Sequence, residues 1–324
     1  MTRKEIVKLA VTMGGPPETP LIFLNRDTDL SYVSYIGYEA APGFAGNNPG
    51  KSEWGYSMHS LNETMGQPGF RPLEESWELF SDFRPPDPDI PGRYANMPKA
   101  IESCGDRYIV AAQGITGFNL ATFIRGFGNF LEDIYTEEAN ANALLDMVFS
   151  FEERVCSHLC AYDIDAVAYY DDWGTQRSLM IGPGKWREMF KPRYKRQFDL
   201  AHSLGKQVFF HCCGQIIDII PDLIEIGADI LNLNQPELFG IENMGKMFGG
   251  KICFCCPVDH QTVALTGSRE EIFDYVYRLK ANLSVNGGFI GNIEDYSICG
   301  MTDERYHDIA DAFLSLNGAA AKLY

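Results

Sequence analysis

Gln207-Val208-Phe209-Phe210-His211-Cys212-Cys213-Gly214 is a β-prone run that ends on a histidine and stops at a turn glycine. Behind it come Ile217–Ile226, with apolar residues at helical spacing, and then a second short apolar run, Asp229–Asn234. Strand, helix, strand over so few residues is a crossover unit, and a crossover makes its two strands parallel.

Working outward, the same rhythm fills most of the chain. Further candidate strands are Pro20–Leu24, Tyr108–Gly114, Ala166–Asp171, Lys251–Cys255 and Gly288–Ile293, with one more around Ser31–Ile36. Helical periodicity occupies Lys185–Leu204 and Glu270–Leu283. Repeated βα units build a parallel sheet. Eight of them predict an α/β protein, a (β/α)8 TIM barrel closed rather than opened as a doubly wound sheet, with residues 1–324 as a single domain.

Residues 40–98 break the rhythm with turn-rich pieces such as Pro42-Gly43-Phe44, Gln67-Pro68-Gly69-Phe70 and Arg84-Pro85-Pro86. Trp54, Tyr56, Met58, Met65 and Phe70 argue against disorder, which is poor in such side chains. The reading is an ordered excursion over one barrel end, placed to act as a lid or to pack on the wall.

Bulk composition bounds the partners. A net charge of −17 disfavours nucleic acid and anionic membranes, which call for clustered Lys and Arg. No apolar run reaches the length of a membrane span, and Met1-Thr2-Arg3-Lys4-Glu5 leads into an amphipathic stretch rather than an apolar signal core, so a cytoplasmic protein is expected. The nine cysteines do not form a small disulfide framework, and in a reducing cytosol they pose a choice between core packing and metal.

In such barrels the catalytic groups come from the C-terminal strand ends. His211 and Cys213, two positions apart in extended backbone, point the same way, and imidazole with thiolate is a good zinc pair. Cys212 points oppositely, toward the core. After the last strand, Gly288–Ile293, a loop carries Glu294, Asp295 and Cys299. Cys299 can reach back across the mouth as a third ligand, leaving one open position as in catalytic zinc sites. The third strand end, Ala166–Tyr170 followed by Asp171-Asp172-Trp173-Gly174-Thr175-Gln176, carries paired carboxylates, candidates for proton transfer or for orienting a ligand. Trp54, Tyr170, Trp173 and Gln235 are the expected substrate contacts. Cys253 and Cys255 read as core, Asp259 and His260 as residues able to reach the mouth, and Cys156 with Cys160 as ordinary helix. The chain has no GxGxxG or P-loop pattern, so nucleotide binding is unsupported.

At these residues the chain resembles the uroporphyrinogen decarboxylase-like superfamily nearly end to end, most strongly from Asp106 to Gly300. The carriers are Thr2-Arg3-Lys4-Glu5-Ile6-Val7, Arg125-Gly126-Phe127, Asp171–Gln176, His211-Cys212-Cys213-Gly214 and Asp229-Ile230-Leu231-Asn232. True uroporphyrinogen decarboxylases carry a PVW-MRQAGRY-type segment whose arginines bind porphyrinogen carboxylates; here the region reads Pro20-Leu21-Ile22-Phe23-Leu24-Asn25-Arg26-Asp27-Thr28-Asp29, without the double arginine. The corrinoid-dependent methyltransferase branch is similar in its His-x-Cys plus distant Cys around zinc, which falls on His211, Cys213 and Cys299. Where some of its members add an acidic ligand, this chain has Asn232, Asn234 and Gln235. The resemblance implies a zinc-dependent methyltransferase of the O-demethylase type. It would move a methyl group between a small methylated substrate, first of all a methoxylated aromatic, and the cobalt of methylcobalamin or another corrinoid carried by a partner protein. The alternative is a metal-independent decarboxylase of a small carboxylated substrate that uses Asp171 or Asp172.

Overall fold

The computed structural model describes residues 1–48, 50–59 and 67–318. Met65, counted above among the aromatic and apolar anchors, lies outside them.

One parallel sheet contains β1 (Leu21–Leu24), β2 (Val33–Gly37), β3 (Tyr108–Ile115), β4 (Ala166–Tyr170), β5 (Gln207–Cys212), β6 (Ile230–Leu233), β7 (Cys253–Cys256) and β8 (Phe289–Glu294). Its spatial order is β1-β8-β7-β6-β5-β4-β3-β2, and every ladder in it is parallel. The first strand pairs with the last, Leu21 opposite Gly291. Between β1 and β2 there is no ladder among the described residues, but the seam is bridged. Tyr32 N–H donates to the Leu21 carbonyl at 2.8 Å. Ser31 Oγ accepts from Phe23 N–H at 3.2 Å and donates to the Val33 carbonyl at 2.8 Å. The expected (β/α)8 barrel is therefore what forms, nearly closed.

Period-2 alternation sorts each strand's side chains between two cores. Ile22, Tyr108, Val110, Ala166, Ala168, Phe209, Ile230, Cys253, Cys255 and Ile290 fill the barrel interior. Val208, Phe210, Cys212, Val167, Leu231 and Phe254 face outward under the helices. Helix α1 (Arg3–Val11), opened by a Thr2–Glu5 capping box, puts Val7, Ala10 and Val11 into the interior core and so plugs the N-terminal end. The opposite end is left open for chemistry.

The excursion is ordered largely without regular structure. Buried Arg93 holds it together: its guanidinium makes a two-armed pair with Glu53, at 2.5 and 2.7 Å, and reaches the Asp87 carbonyl at 2.7 Å. Trp54 packs edge-on against Phe151, ring centres 5.1 Å apart. Arg125 clamps the segment to the wall through the carbonyls of Leu73 and Glu74.

Candidate metal centre and its cavity

Along β5 the alternation sends Phe209 and His211 inward, and Cys213 follows on the same side just past the strand end. His211 Nε2 lies 3.5 Å from Cys213 Sγ and 3.6 Å from Asp172 Oδ1. Asp172, His211 and Cys213 thus offer ligand atoms that all lie within 4.8 Å of one another.

Neighbouring groups fix each of the three. Asn232 donates its amide to the Cys255 carbonyl at 2.8 Å, which aims its Oδ1 at His211 Nδ1, 2.6 Å away. His211 therefore carries its proton on Nδ1 and presents the Nε2 lone pair to the cluster, the orientation that metal-bound imidazoles need. Asp172 accepts from Cys213 N–H at 2.9 Å and from the Asn119 amide at 3.3 Å. That contact depends on the loops after β4 and β5 touching backbone to backbone. Gly174 N–H donates to the Cys213 carbonyl at 3.1 Å. A Cβ on Gly174 would stand 2.3 Å from Gly214 C and Gln215 N, so no side chain fits there. Gln235 is buried and accepts from Gly214 N–H at 2.8 Å, so it holds this turn rather than facing a substrate. Burial, followed by the nearby Asp172, pushes the Cys213 thiol well up, so without a cation the sulfur keeps its proton.

The cluster opens into a cavity of about 400 Å³. Tyr35, Tyr170 and Phe209 form an aromatic side, with Tyr35 edge-on to Phe209 at 5.9 Å and Tyr170 at 5.5 Å from the His211 ring. Asn234, His260, Asn292, Glu294 and Asp295 form a polar side. Tyr296 stacks on His260 at 4.7 Å and donates to Glu294 at 2.7 Å.

Several candidates sit elsewhere. Asp171, expected beside Asp172 as an acid–base group, points the opposite way along the strand and is fully buried. It accepts from Phe118 N–H at 2.7 Å, from Asn119 N–H at 2.8 Å and from the Tyr194 hydroxyl, and so caps the helix Gly117–Arg125. Trp173, expected at the substrate, is buried between Phe118 and Phe190, with its indole N–H on Tyr194 at 3.0 Å. Trp54 lines a separate cavity of about 320 Å³, beneath the excursion, together with Tyr38, Tyr56, Gln113 and Phe151. None of the described excursion residues borders the cavity of the metal cluster, so they form no lid over it. Cys299 does border it, on the exposed turn Ser297–Cys299, but its sulfur stays outside the 4.8 Å cluster. Tyr170, Asp172, His211 and Cys213 are brought together as expected. Tyr35, Phe209 and Asn292 were missed in the sequence; each faces inward by strand alternation, and that was the available signal. Cys156 and Cys160 lie 3.8 Å apart inside a helix.

The profile of the uroporphyrinogen decarboxylase (URO-D) family matches residues 57–294. No curated protein matches the sequence. Among solved structures, a methyltransferase from Methanosarcina mazei superposes with a TM-score of 0.69 at 14% identity, covering 97% of this chain and 99% of that one. A B12-independent methionine synthase from Shewanella sp. W3-18-1, solved with selenomethionine, gives 0.52 at 10% identity, covering 98% of this chain and 86% of that one. At these identities the likeness is one of fold.

Proposed function

Since the chain belongs to the uroporphyrinogen decarboxylase family, we propose that it is a zinc-dependent methyltransferase that exchanges a methyl group between a small methoxylated aromatic and the cobalt of a corrinoid carried by a partner protein. The observation that carries this reading is the convergence of Asp172, His211 and Cys213 at the open end of the barrel. Neutral imidazole, thiolate and carboxylate are the donor types zinc takes, Cys213 losing its proton on binding, and the preset His211 tautomer fits them. Cys299, on a short turn, is the further sulfur at the rim of the same cavity.

Bound there, zinc would supply Lewis acidity toward the departing heteroatom. In the demethylating direction oxygen would keep the C–O bonding pair and take a proton from solvent, and the partner's corrinoid, in its reduced Co(I) state, would supply both electrons of the new bond to the methyl carbon. The chain's own residues prepare that exchange. Asn232 keeps His211 in one orientation, and Asp172 fixes Cys213 through its backbone N–H. Tyr35, Tyr170 and Phe209 offer an aromatic face to the ring and exclude water beside it.

Metal analysis of the purified protein should return about one zinc per chain, lost in the His211→Ala/Cys213→Ala double variant. With a reduced corrinoid protein and a methoxyarene, a methylcobalamin spectrum should develop. A metal-free protein with full activity would end this reading. Carbon dioxide release from a carboxylated substrate with His211 dispensable would replace it with a metal-independent decarboxylase.

A further inference from the structure

Seven of the eight joints between barrel strands are ladders, and the joint between β1 and β2 is not. What ties these two strands together lies at their N-terminal halves, in the bonds of Tyr32 N–H and Ser31 Oγ. Past Phe23 and Val33 no backbone hydrogen bond crosses the seam among the described residues. β1 then ends at Asn25, which turns in the left-handed region at φ 66°. The effect shows in β2. Only Val33 of its residues is buried, whereas in every other strand of the barrel most residues are.

A hollow lies on each side of this gap. Outside, a space of about 370 Å³ runs between the two strands and the end of the helix Met97–Cys104, with Ser34, Ser103 and Arg107 on its walls. Inside is the cavity of the metal cluster. Leu24, Asn25 and Tyr35 border both spaces. Strands joined by a ladder stand about 4.8 Å apart and are held there by their backbones, so they let nothing through. At this joint the partition is made of side chains. Leu24 and Tyr35 are only partly buried, and such side chains change rotamer far faster than a bonded ladder opens.

In the methyltransferase reading the partner brings its cobalt to the open end of the barrel and covers the mouth while it does so. Resting on that reading, we infer that the β1–β2 seam is a second, lateral entrance to the metal cavity. A small aromatic substrate and its demethylated product exchange through it, past Leu24 and Tyr35, while the corrinoid protein sits over the mouth.

The test is fluorine exchange NMR of 4-fluoroanisole with the zinc-loaded protein, alone and saturated with the corrinoid protein in its Co(III) state. Co(III) has no electron pair to give the methyl carbon, so only binding is read. With the partner bound, the unaltered protein should keep exchanging the probe. Ser103→Trp fills the outer hollow from the exposed helix side. Under the partner it should slow arrival and departure alike by about ten-fold or more, with the equilibrium constant and zinc content unchanged, because a barrier on a path acts on both directions equally. Without the partner the mouth is open, and the variant should exchange at close to the unaltered rate. Ser34→Trp, from the strand side, should behave the same way and serves if the first variant does not fold.

The inference is overturned if the partner alone stops exchange in the unaltered protein, if both variants exchange under the partner as fast as it does, or if they lose affinity instead of speed. The two readings fail separately. A protein that binds the partner and the probe but exchanges only through the mouth refutes the seam alone. One that exchanges through the seam yet never methylates reduced corrinoid refutes the methyltransferase alone. A protein that binds no corrinoid partner, or no fluoroanisole, removes both.

Discussion

His211 is useful because of what Asn232 does behind it. A single side chain, itself locked on the Cys255 carbonyl, decides which imidazole nitrogen is free. Asn232→Leu should therefore lower zinc affinity by about 10–100-fold, the range for such supporting partners, in a chelator-competition titration, while the fold is retained. The His-x-Cys pair was legible from spacing alone, whereas the Asp171/Asp172 pair was not resolvable that way. Adjacent strand residues face opposite sides, and the sequence does not say which side is the cavity until the helix start at Gly117 is placed. Behind the barrel, Glu152 accepts from Gly117 N–H at 2.7 Å and from Gln197 at 2.5 Å, and burial raises it from 4.5 to about 8. A carboxyl raised in the native state binds a proton that the unfolded chain has already released. Its contribution to stability is thus greatest below about pH 4.5 and declines as pH rises toward about 8. Glu152→Gln should flatten that slope, worth up to about 1.4 kcal/mol per pH unit, in urea unfolding measured at two pH values within the window.

At the scale of elements, the site is made by two strand-end loops that meet at Gly174 and Gly214. Gly174→Ala has no room for its methyl group, since the obstruction is backbone rather than a flexible side chain. The loops must part, separating Asp172 from Cys213 N–H. The expected result is a lower melting temperature together with loss of zinc, whereas Trp173→Ala should cost about 3–5 kcal/mol of stability through a cavity in the aromatic cluster and leave the metal-binding atoms in place. Thermal unfolding paired with metal analysis separates the two outcomes. Strand order and the βα rhythm were readable because apolar periodicity is local. Contacts such as Arg93 with Glu53, or Trp54 with Phe151 of the helix Glu138–Cys160, tie the irregular segment together and to the wall across long stretches of chain, and no local pattern announces them.

Over the whole molecule, the two ends of the barrel have divided tasks. The N-terminal end is filled by α1, and the C-terminal end carries every donor of the candidate centre. Removing residues 1–11 would uncover interior residues such as Ile22, Tyr108 and Ile290. The shortened chain should lose cooperative unfolding and bind a hydrophobic dye such as ANS, even though no cluster residue has been touched. No helix among the described residues is long and apolar enough to cross a membrane, and the −17 charge leaves the surface strongly acidic, so a docking partner gains in association rate by presenting a basic face, an advantage that added salt would erode.

The pairing of β1 with β8 has a consequence for biosynthesis. The strand made before the other seven must wait, edge exposed, until the eighth has been made before it finds its ladder partner. So long a delay makes closure a late event and leaves the nascent chain open to wrong pairings, a hazard that a chaperone holding the early strand would reduce.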